Sequence, residues 1–507
     1  MRKFASILLA ANAVASIPAV CAAAEAPATY VRDFQIDSEF HIDGEAVGED
    51  LARFKGRKLT LREINDAVKA VQDFCYRDGY IGSAAYLPPQ ESKNGVIRIG
   101  VSTFRFGKVT IDNKSHMKTA MLEKLASSIK EGEIVRGQSL EDVLYRMNDL
   151  GGIRATGSMD KNKDGKIDVV IHVEDFETTR NILYTDNYGN DGTGKYQTGW
   201  QFTKYDVDNE GALAQASVLK SNKNLWNAGA KYQFVADPWT FATAGAEIGR
   251  TNYSLHGDMD SVGNKGKYTD ASVFYDVPIR KTVNEGLSLG AKLKYKEMTS
   301  DLDLFNVSLD RHSYAATGTV AGYQRTHTGI FNWDATLTAG KLANDSDFSK
   351  AMDEYNHTSG HYTTLLTTGS FKNRMDKQLD FQMKWQMQFA SSPLDSSEKL
   401  SLGGPNGVRA YDAGDSSGDY GYLVSAELRY NTKIPGLTLK AFYDAGETRD
   451  KLSTDGDVLR GWGVGADYVH PQDCFVSLDY ARKVGFEHDA TDDTGKGRVW
   501  FVAGKMF

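Results

Sequence analysis

A membrane-spanning β-barrel of sixteen antiparallel strands, preceded by two small α+β domains, is the fold this sequence predicts, and three observations carry the prediction. In 379–389, Leu379, Phe381, Met383, Trp385, Met387 and Phe389 take every second position, with Asp380, Gln382, Lys384, Gln386 and Gln388 between them. In 421–430, Tyr422, Val424, Ala426, Leu428 and Tyr430 alternate with Ser425, Glu427 and Arg429. Side chains of a strand point to opposite faces in turn, so such alternation sets one face in an apolar medium and the other in a polar one, as in a strand that crosses a bilayer around a wet lumen. The second observation is the count of such segments after Thr179, sixteen, an even number as closure of a single-chain antiparallel barrel requires. The third is the texture ahead of them, where 25–103 and 104–175 each mix strand and helix patterns in the same order, as an internal repeat does.

The chain of 507 residues exceeds one ordinary domain, and 41% hydrophobic with 25% charged content excludes wholesale disorder. Its 49 Gly, 25 Tyr and 23 Phe against 10 Pro suit many strands joined by tight turns. Residues 1–24 read as a signal peptide: Arg2 and Lys3 open it, 4–20 are mostly apolar, and Ala22, Ala23 and Ala24 offer small residues for cleavage. Asn12, Ser16 and Pro18 interrupt the run and argue against a membrane anchor. Beyond it no stretch reaches eighteen apolar residues, so a closed barrel is the remaining way through a bilayer. The formal net charge of −8, more negative without Arg2 and Lys3, gives no encouragement to nucleic-acid binding. Cys21 leaves with the leader, and Cys75 and Cys474 fall in different predicted domains, which argues against a disulfide framework.

Taken in order, 25–29 is a tether and 30–36 a strand. A helix runs from Thr60 with Ile64, Val68, Val71 and Cys75 at helical spacing and stops at Gly79. A strand over 96–101 closes the first domain. The second holds a strand near 104–113, helices over 118–130 and 139–150, the latter with Leu140, Val143, Leu144 and Met147 on one stripe, and a hairpin ending at Glu174. The barrel, 176–507, contains strands over 180–188, 199–207, 211–219, 229–236, 241–249, 270–277, 286–295, 313–323, 330–338, 362–371, 379–389, 421–430, 437–445, 459–468, 474–482 and 498–507, and a long loop over 390–420. Phe507, with Phe501 and Val499 in step before it, resembles the aromatic terminal strand that marks chains for outer-membrane assembly.

Enzyme chemistry finds little support. DKNKDGKID, 160–168, carries Asp160, Asn162, Asp164 and Asp168 around Gly165 like a calcium loop, but Ile171 stands where a bidentate glutamate is needed, so a polar hairpin turn is the better reading. No CxxC, HExxH or phosphate loop appears, and neither a metal nor a cofactor is expected.

The chain also resembles a known family. VRAY at 408–411, FYDAG at 442–446 and LYRMNDLGGI at 144–153 are similar to motifs of the two-partner secretion transporters, outer-membrane pores that export haemolysin- and filamentous-haemagglutinin-like proteins. The resemblance implies two periplasmic POTRA domains, 25–103 and 104–175, below the sixteen-stranded barrel, and a lumen loop latched through Val408, Arg409 and Tyr411 against Asp444 on the wall. Alternation in 437–445 independently turns Leu437, Leu439, Ala441 and Tyr443 to lipid and Asp444, with Lys440, to the lumen. In a wet pore that pair is worth roughly 0–1 kcal/mol. Ala410 stands where the family usually has glycine, which strains the turn if a positive φ is required there. The first strand follows the leader so closely that no pore-plugging helix is expected. Partners implied are an unfolded secreted exoprotein, outer-membrane lipid and the barrel-assembly machinery during biogenesis. Translocation without nucleotide hydrolysis is the expected function. An insertase is the alternative, disfavoured because such proteins usually have more POTRA units than two.

Overall fold

The computed structural model describes residues 28–91, 94–255, 263–453, 456–470, 473–484 and 497–507; the leader expected over 1–24 lies outside them. The chain divides into two compact units, one holding residues up to Phe104 with Ile134–Gly137, the other Arg105–Glu133 with Gln138–Phe507.

The first unit contains β1 (Ala28–Val31), β2 (Asp33–Ser38), α1 (Gly44–Leu51), β3 (Arg57–Thr60), α2 (Leu61–Arg77), β4 (Ser83–Tyr86) and β5 (Val96–Thr103). The stretch read as one strand from Tyr30 splits at Arg32, whose N–H turns to Gly95 O at 2.7 Å. A reciprocal cap starts α2: the Thr60 hydroxyl accepts the Glu63 N–H at 3.3 Å and the Glu63 carboxylate accepts the Thr60 N–H at 2.8 Å. Gly79, at φ +87°, follows its end. Ile64, Ala67, Val71 and Cys75 form its buried stripe and share a core with Val31, Leu59, Ile97 and Ile99. Each fully buried aliphatic side chain there contributes roughly 1.5–3 kcal/mol, and the same burial pushes the Cys75 thiol pKa up. The segment Ile134–Gly137 belongs to this unit, with Val135 N–H on Phe104 O at 2.9 Å and Gly137 N–H on Gly79 O at 3.1 Å.

The second unit opens with β6 (Phe106–Lys114), α3 (Thr119–Ala126), α4 (Gly137–Asp149), β7 (Ile153–Lys161) and β8 (Ile167–Asp175). Its sheet runs β6-β8-β7, parallel then antiparallel, the same order and sense as β2-β5-β4 in the first unit. Leu140, Val143 and Met147 of α4 are buried, and α4 lies over Gly157, where any Cβ would sit 3.1 Å from Leu140 and Leu144. In the β7–β8 turn, Asn162 Oδ1 accepts the N–H groups of Asp164 and Lys166, both at 3.0 Å, and Asp168 Oδ1 accepts Lys108 N–H at 2.8 Å. These oxygens are spent on the turn.

The barrel consists of β9 (Thr179–Asp186), β10 (Gln197–Tyr205), β11 (Leu213–Ser221), β12 (Leu225–Asp237), β13 (Ala242–Ser254), β14 (Asn264–Lys281), β15 (Glu285–Leu302), β16 (Val307–Arg325), β17 (Gly329–Asn344), β18 (Gly360–Arg374) and β19 (Leu379–Ala390). A helix, α5 (Asp347–Asn356), lies between β17 and β18. Beyond the long loop, which carries the short pair β20 (Leu400–Ser401) and β21 (Ser417–Gly418), follow β22 (Tyr420–Asn431), β23 (Leu437–Arg449), β24 (Gly456–Val469), β25 (Cys474–Lys483) and β26 (Arg498–Met506). All sixteen wall strands pair antiparallel with their neighbours and β26 closes on β9. The outer face is apolar, with Val273, Leu293, Leu337, Phe389, Trp462 and Val464 exposed, as lipid contact demands. The closing seam joins only five residue pairs, Val502↔Asp186 to Met506↔Ile182. Asn187 lengthens it, donating to Val499 O at 2.8 Å and accepting from Phe501 N–H at 2.7 Å. Phe507 exchanges backbone hydrogen bonds with Asn181 at 3.0 and 2.8 Å and leaves its ring exposed.

The wall strands differ in length from those read by alternation. β14, β15 and β16 have 18, 18 and 19 residues, whereas a span needs roughly 9–11. Their outer ends are polar on both faces and lack the period that lipid imposes. The helix α5, capped by the Ser346 hydroxyl, which accepts Ser349 N–H at 3.2 Å, falls between the predicted strands 330–338 and 362–371.

Candidate functional site

The loop between β19 and β22 folds back into the barrel, and local backbone chemistry shapes its tip. Val408 N–H bonds Leu402 O at 2.6 Å and Gly404 N–H bonds Tyr411 O at 3.1 Å, closing a tight hairpin. Gly404 has φ +102°, open to glycine, and a Cβ at Gly407 would fall 1.9 Å from Leu402 O. Val408 and Tyr411 are buried in a small cluster with Leu400, Leu402, Leu423, Phe442 and Leu459. This presents Arg409 to the wall.

Arg409 meets Asp444 through two parallel hydrogen bonds, Nε to Oδ2 and Nη2 to Oδ1, both 2.8 Å, and its own N–H reaches Oδ2 at 3.2 Å. Nη1 also binds Glu427 at 2.7 Å and Asp479 at 3.3 Å, while Nη2 binds Ser425 Oγ at 3.1 Å. The guanidinium carbon stands 3.3 Å from the centroid of the Phe442 ring. Trp500 Nε1–H donates to Arg409 O at 2.7 Å, so the last strand grips the loop backbone.

A second layer extends the charge pattern. Arg429 bridges Glu427 at 2.9 Å and Asp467 at 2.5 Å, and Lys440 bridges Asp467 at 2.9 Å and Asp479 at 2.7 Å. Arg409 of the loop, with Arg429 and Lys440 of the wall, thus interleaves with four carboxylates on β22 to β25, leaving one net negative charge. Asp444 is fully buried and Arg409 is 5% exposed. The expectation of a solvated pair therefore needs correcting: in this desolvated cluster, removing one partner strands a buried charge, which is far costlier than breaking a wet ion pair.

Space for the cluster comes from β24, whose lumen face carries glycine at 461, 463 and 465. A Cβ at these positions would lie 2.6 Å from Ala410 Cβ, 2.3 Å from Phe442 Cζ and 2.0 Å from Asp479 Oδ1. Ala410 is not among the described non-glycine residues with positive φ, and its methyl fills the recess at Gly461, so the alanine brings no backbone strain.

Sequence reasoning named Val408, Arg409, Tyr411 and Asp444, and the structure brings all four together; Phe507 lies apart at the closing seam. It did not assign roles to Glu427, Asp467, Asp479 and Trp500, although alternation alone turns each to the lumen. It also passed over the root of the loop. There Asp395 pairs with Arg311 of β16 and Glu398 with Lys296 of β15. Buried Asp419 accepts the N–H groups of Leu394 and Lys451 at 2.9 and 2.7 Å.

A closed barrel with a loop locked in its lumen and an α+β domain ahead of it defines a β-barrel membrane protein of the kind that carries soluble domains at its amino-terminal side. Residues 165–468 match the profile of the haemolysin secretion/activation proteins ShlB/FhaC/HecB, and residues 30–103 match the ShlB-type POTRA domain. The chain belongs to the ShlB/FhaC/HecB family, the outer-membrane transporters of two-partner secretion. The heme/hemopexin transporter protein HuxB of Haemophilus influenzae (strain 86-028NP) is 25% identical over 415 residues, covering 79% of this chain and 73% of that one. The outer membrane transporter CdiB of Dickeya dadantii is 22% identical over 441 residues, covering 81% and 75%. Among solved structures, CdiB from Escherichia coli superposes with a TM-score of 0.76 at 17% identity over 97% of this chain and 93% of that one. BamA from Haemophilus ducreyi lacking POTRA domains 1–3 gives 0.55 at 14% identity over 94% and 100%, a likeness of fold alone.

Proposed function

We propose that this transporter takes an unfolded exoprotein from the periplasm by strand addition to its α+β domains, of which 104–175 is a second POTRA domain, and passes it through the lumen without catalysing a reaction. Strand addition uses backbone hydrogen bonds and so tolerates varied cargo sequence. No ATP-driven step is needed if cargo folding outside prevents return. Arg409 and Asp444, seated by Val408 and Tyr411, act as the latch that fixes the loop to one wall, and Phe507 serves as the mark read by the barrel-assembly machinery. The observation that carries this reading is the bidentate, buried Arg409–Asp444 contact, reinforced by two further carboxylates.

The test has two stages. Deleting the gene should remove one large protein from the culture medium and leave other outer-membrane proteins at their normal levels; a general loss of outer-membrane proteins would instead indicate an insertase. Restoring the gene as Arg409→Ala should return an assembled barrel that exports this protein roughly ten-fold more slowly, a difference of ~1.4 kcal/mol. Export at the wild-type rate would remove the latch role.

A further inference from the structure

The loop tip occupies one side of the lumen, and the adjoining wall, β15 to β19, is built differently. A cavity of about 710 Å³ lies between the tip, at Pro405, Asn406 and Gly407, and the wall formed by β15 to β19, bordered on one side by Arg280 and Lys281 of β14 and on the other by Ser425 and Glu427 of β22. The lumen positions that line it on this wall are largely hydroxyls and amides, chiefly Ser288, Asn332, Thr368, Ser370 and Gln386. Two charges join them: Lys384, and Asp334, whose carboxylate accepts the Thr368 hydroxyl. Further along the same wall, toward the loop root, the stripe continues as Thr319 and Thr336, whose hydroxyls are 3.0 Å apart. The ends of such side chains both donate and accept, so they can hydrogen-bond the backbone of an extended polypeptide whatever its sequence. The β22 to β25 wall offers less: Ser425 and Glu427 of β22 border the cavity, but Ser425 already donates to Asp444 and Glu427 already accepts from Arg409.

The outer end of this path is closed by the loop root. Residues 394–399 cross to the same wall and are tied there by Glu398 to Lys296 and Asp395 to Arg311. An extended chain needs roughly nine residues, at ~3.3 Å each, to cross ~30 Å of hydrocarbon. The cavity takes the inner part of that length, reaching Ser288 on β15 and Ala321 on β16, and the strap's anchors Lys296 and Arg311 lie further along the same two strands.

We propose that the exoprotein crosses between the loop and the β15 to β19 wall, held by that wall's hydroxyl and amide side chains, while the loop tip keeps its seat on β22 to β25 and only the 394–399 strap yields. This rests on the reading of the chain as an exporter and adds the route and the chemistry that grips the cargo: backbone amides of an extended polypeptide.

The test uses the full-length transporter in cells and, as probe, the large protein whose appearance in the medium depends on this gene. Ser416 Oγ and Thr448 Oγ1 lie 2.7 Å apart, so the S416C/T448C pair can be oxidised to staple the returning limb of the loop to β23. Export by the stapled transporter should stay within about two-fold of its reduced form. Ser370→Trp, which fills the cavity, should abolish export while leaving an assembled, heat-modifiable barrel, and Ser370→Thr should restore it. Export stopped by oxidation and recovered on reduction would show that the whole loop must leave, and would overturn the route while sparing the latch. Export undiminished by Ser370→Trp would overturn it too. Failure of the exporter reading would look different: the probe would reach the medium from cells lacking the gene, and the inference would fall with it.

Discussion

The two sides of the lumen solve opposite problems. On β22 to β25, six charged side chains and three glycines make a socket that one loop fills through Arg409, with Asp444 fully buried. On β15 to β19, mostly hydroxyls and amides, with only Asp334 and Lys384 charged among the cavity-lining residues of this wall, face open space. A socket needs complementary charges and little water, because a desolvated bidentate pair fixes position and direction. A conduit for a chain of arbitrary sequence needs groups that neither hold any one side chain tightly nor repel another. The contrast shows how one barrel can hold a plug-like loop rigidly and still offer a slippery path.

Removing a charge from the socket should produce the largest effect. Asp444→Ala leaves Arg409 without its bidentate partner and should destabilise the barrel by about 3–5 kcal/mol, read as a lower temperature for loss of the compact electrophoretic band and a lower urea midpoint. A shift below 1 kcal/mol would mean that the socket is wet and the contrast with the adjoining wall overstated.

An intermediate effect should come from filling the recess under the tip. Gly461→Ala drives a methyl against Ala410 and should cost roughly 1–3 kcal/mol, and Ala410→Gly in the same chain should recover most of it, a coupling that a double-mutant cycle measures. Additive losses would show that the methyl of Ala410 does not sit where described.

The smallest effect belongs to the open wall. Thr319→Ala deletes one side of the Thr319–Thr336 contact, and urea unfolding should shift by no more than about 1 kcal/mol because lumen water replaces the lost partner. A larger loss would make this wall structural as well.

Much of this was legible in residue order. The barrel strands announce themselves where lipid meets one face and water the other, and all sixteen expected segments correspond to wall strands. The period fades where β14 to β16 rise past the hydrocarbon, which is why their length was underestimated. Arg409 and Asp444 could be paired through the resemblance of VRAY and FYDAG to family motifs, and alternation placed Asp444 inside. The partners Glu427, Asp467 and Asp479 were visible only as lumen-facing charges, with nothing to say which loop they would meet.

What the sequence by itself determined is which residues face lipid and which face the lumen, because a two-solvent environment writes itself as a period of two. Which charges meet across the lumen, and that the loop leans on β22 to β25 and leaves β15 to β19 open, only the tertiary structure decided. Those contacts depend on strand register and barrel closure, which bring residues 35 and 70 positions apart onto one guanidinium, and no local pattern encodes that distance.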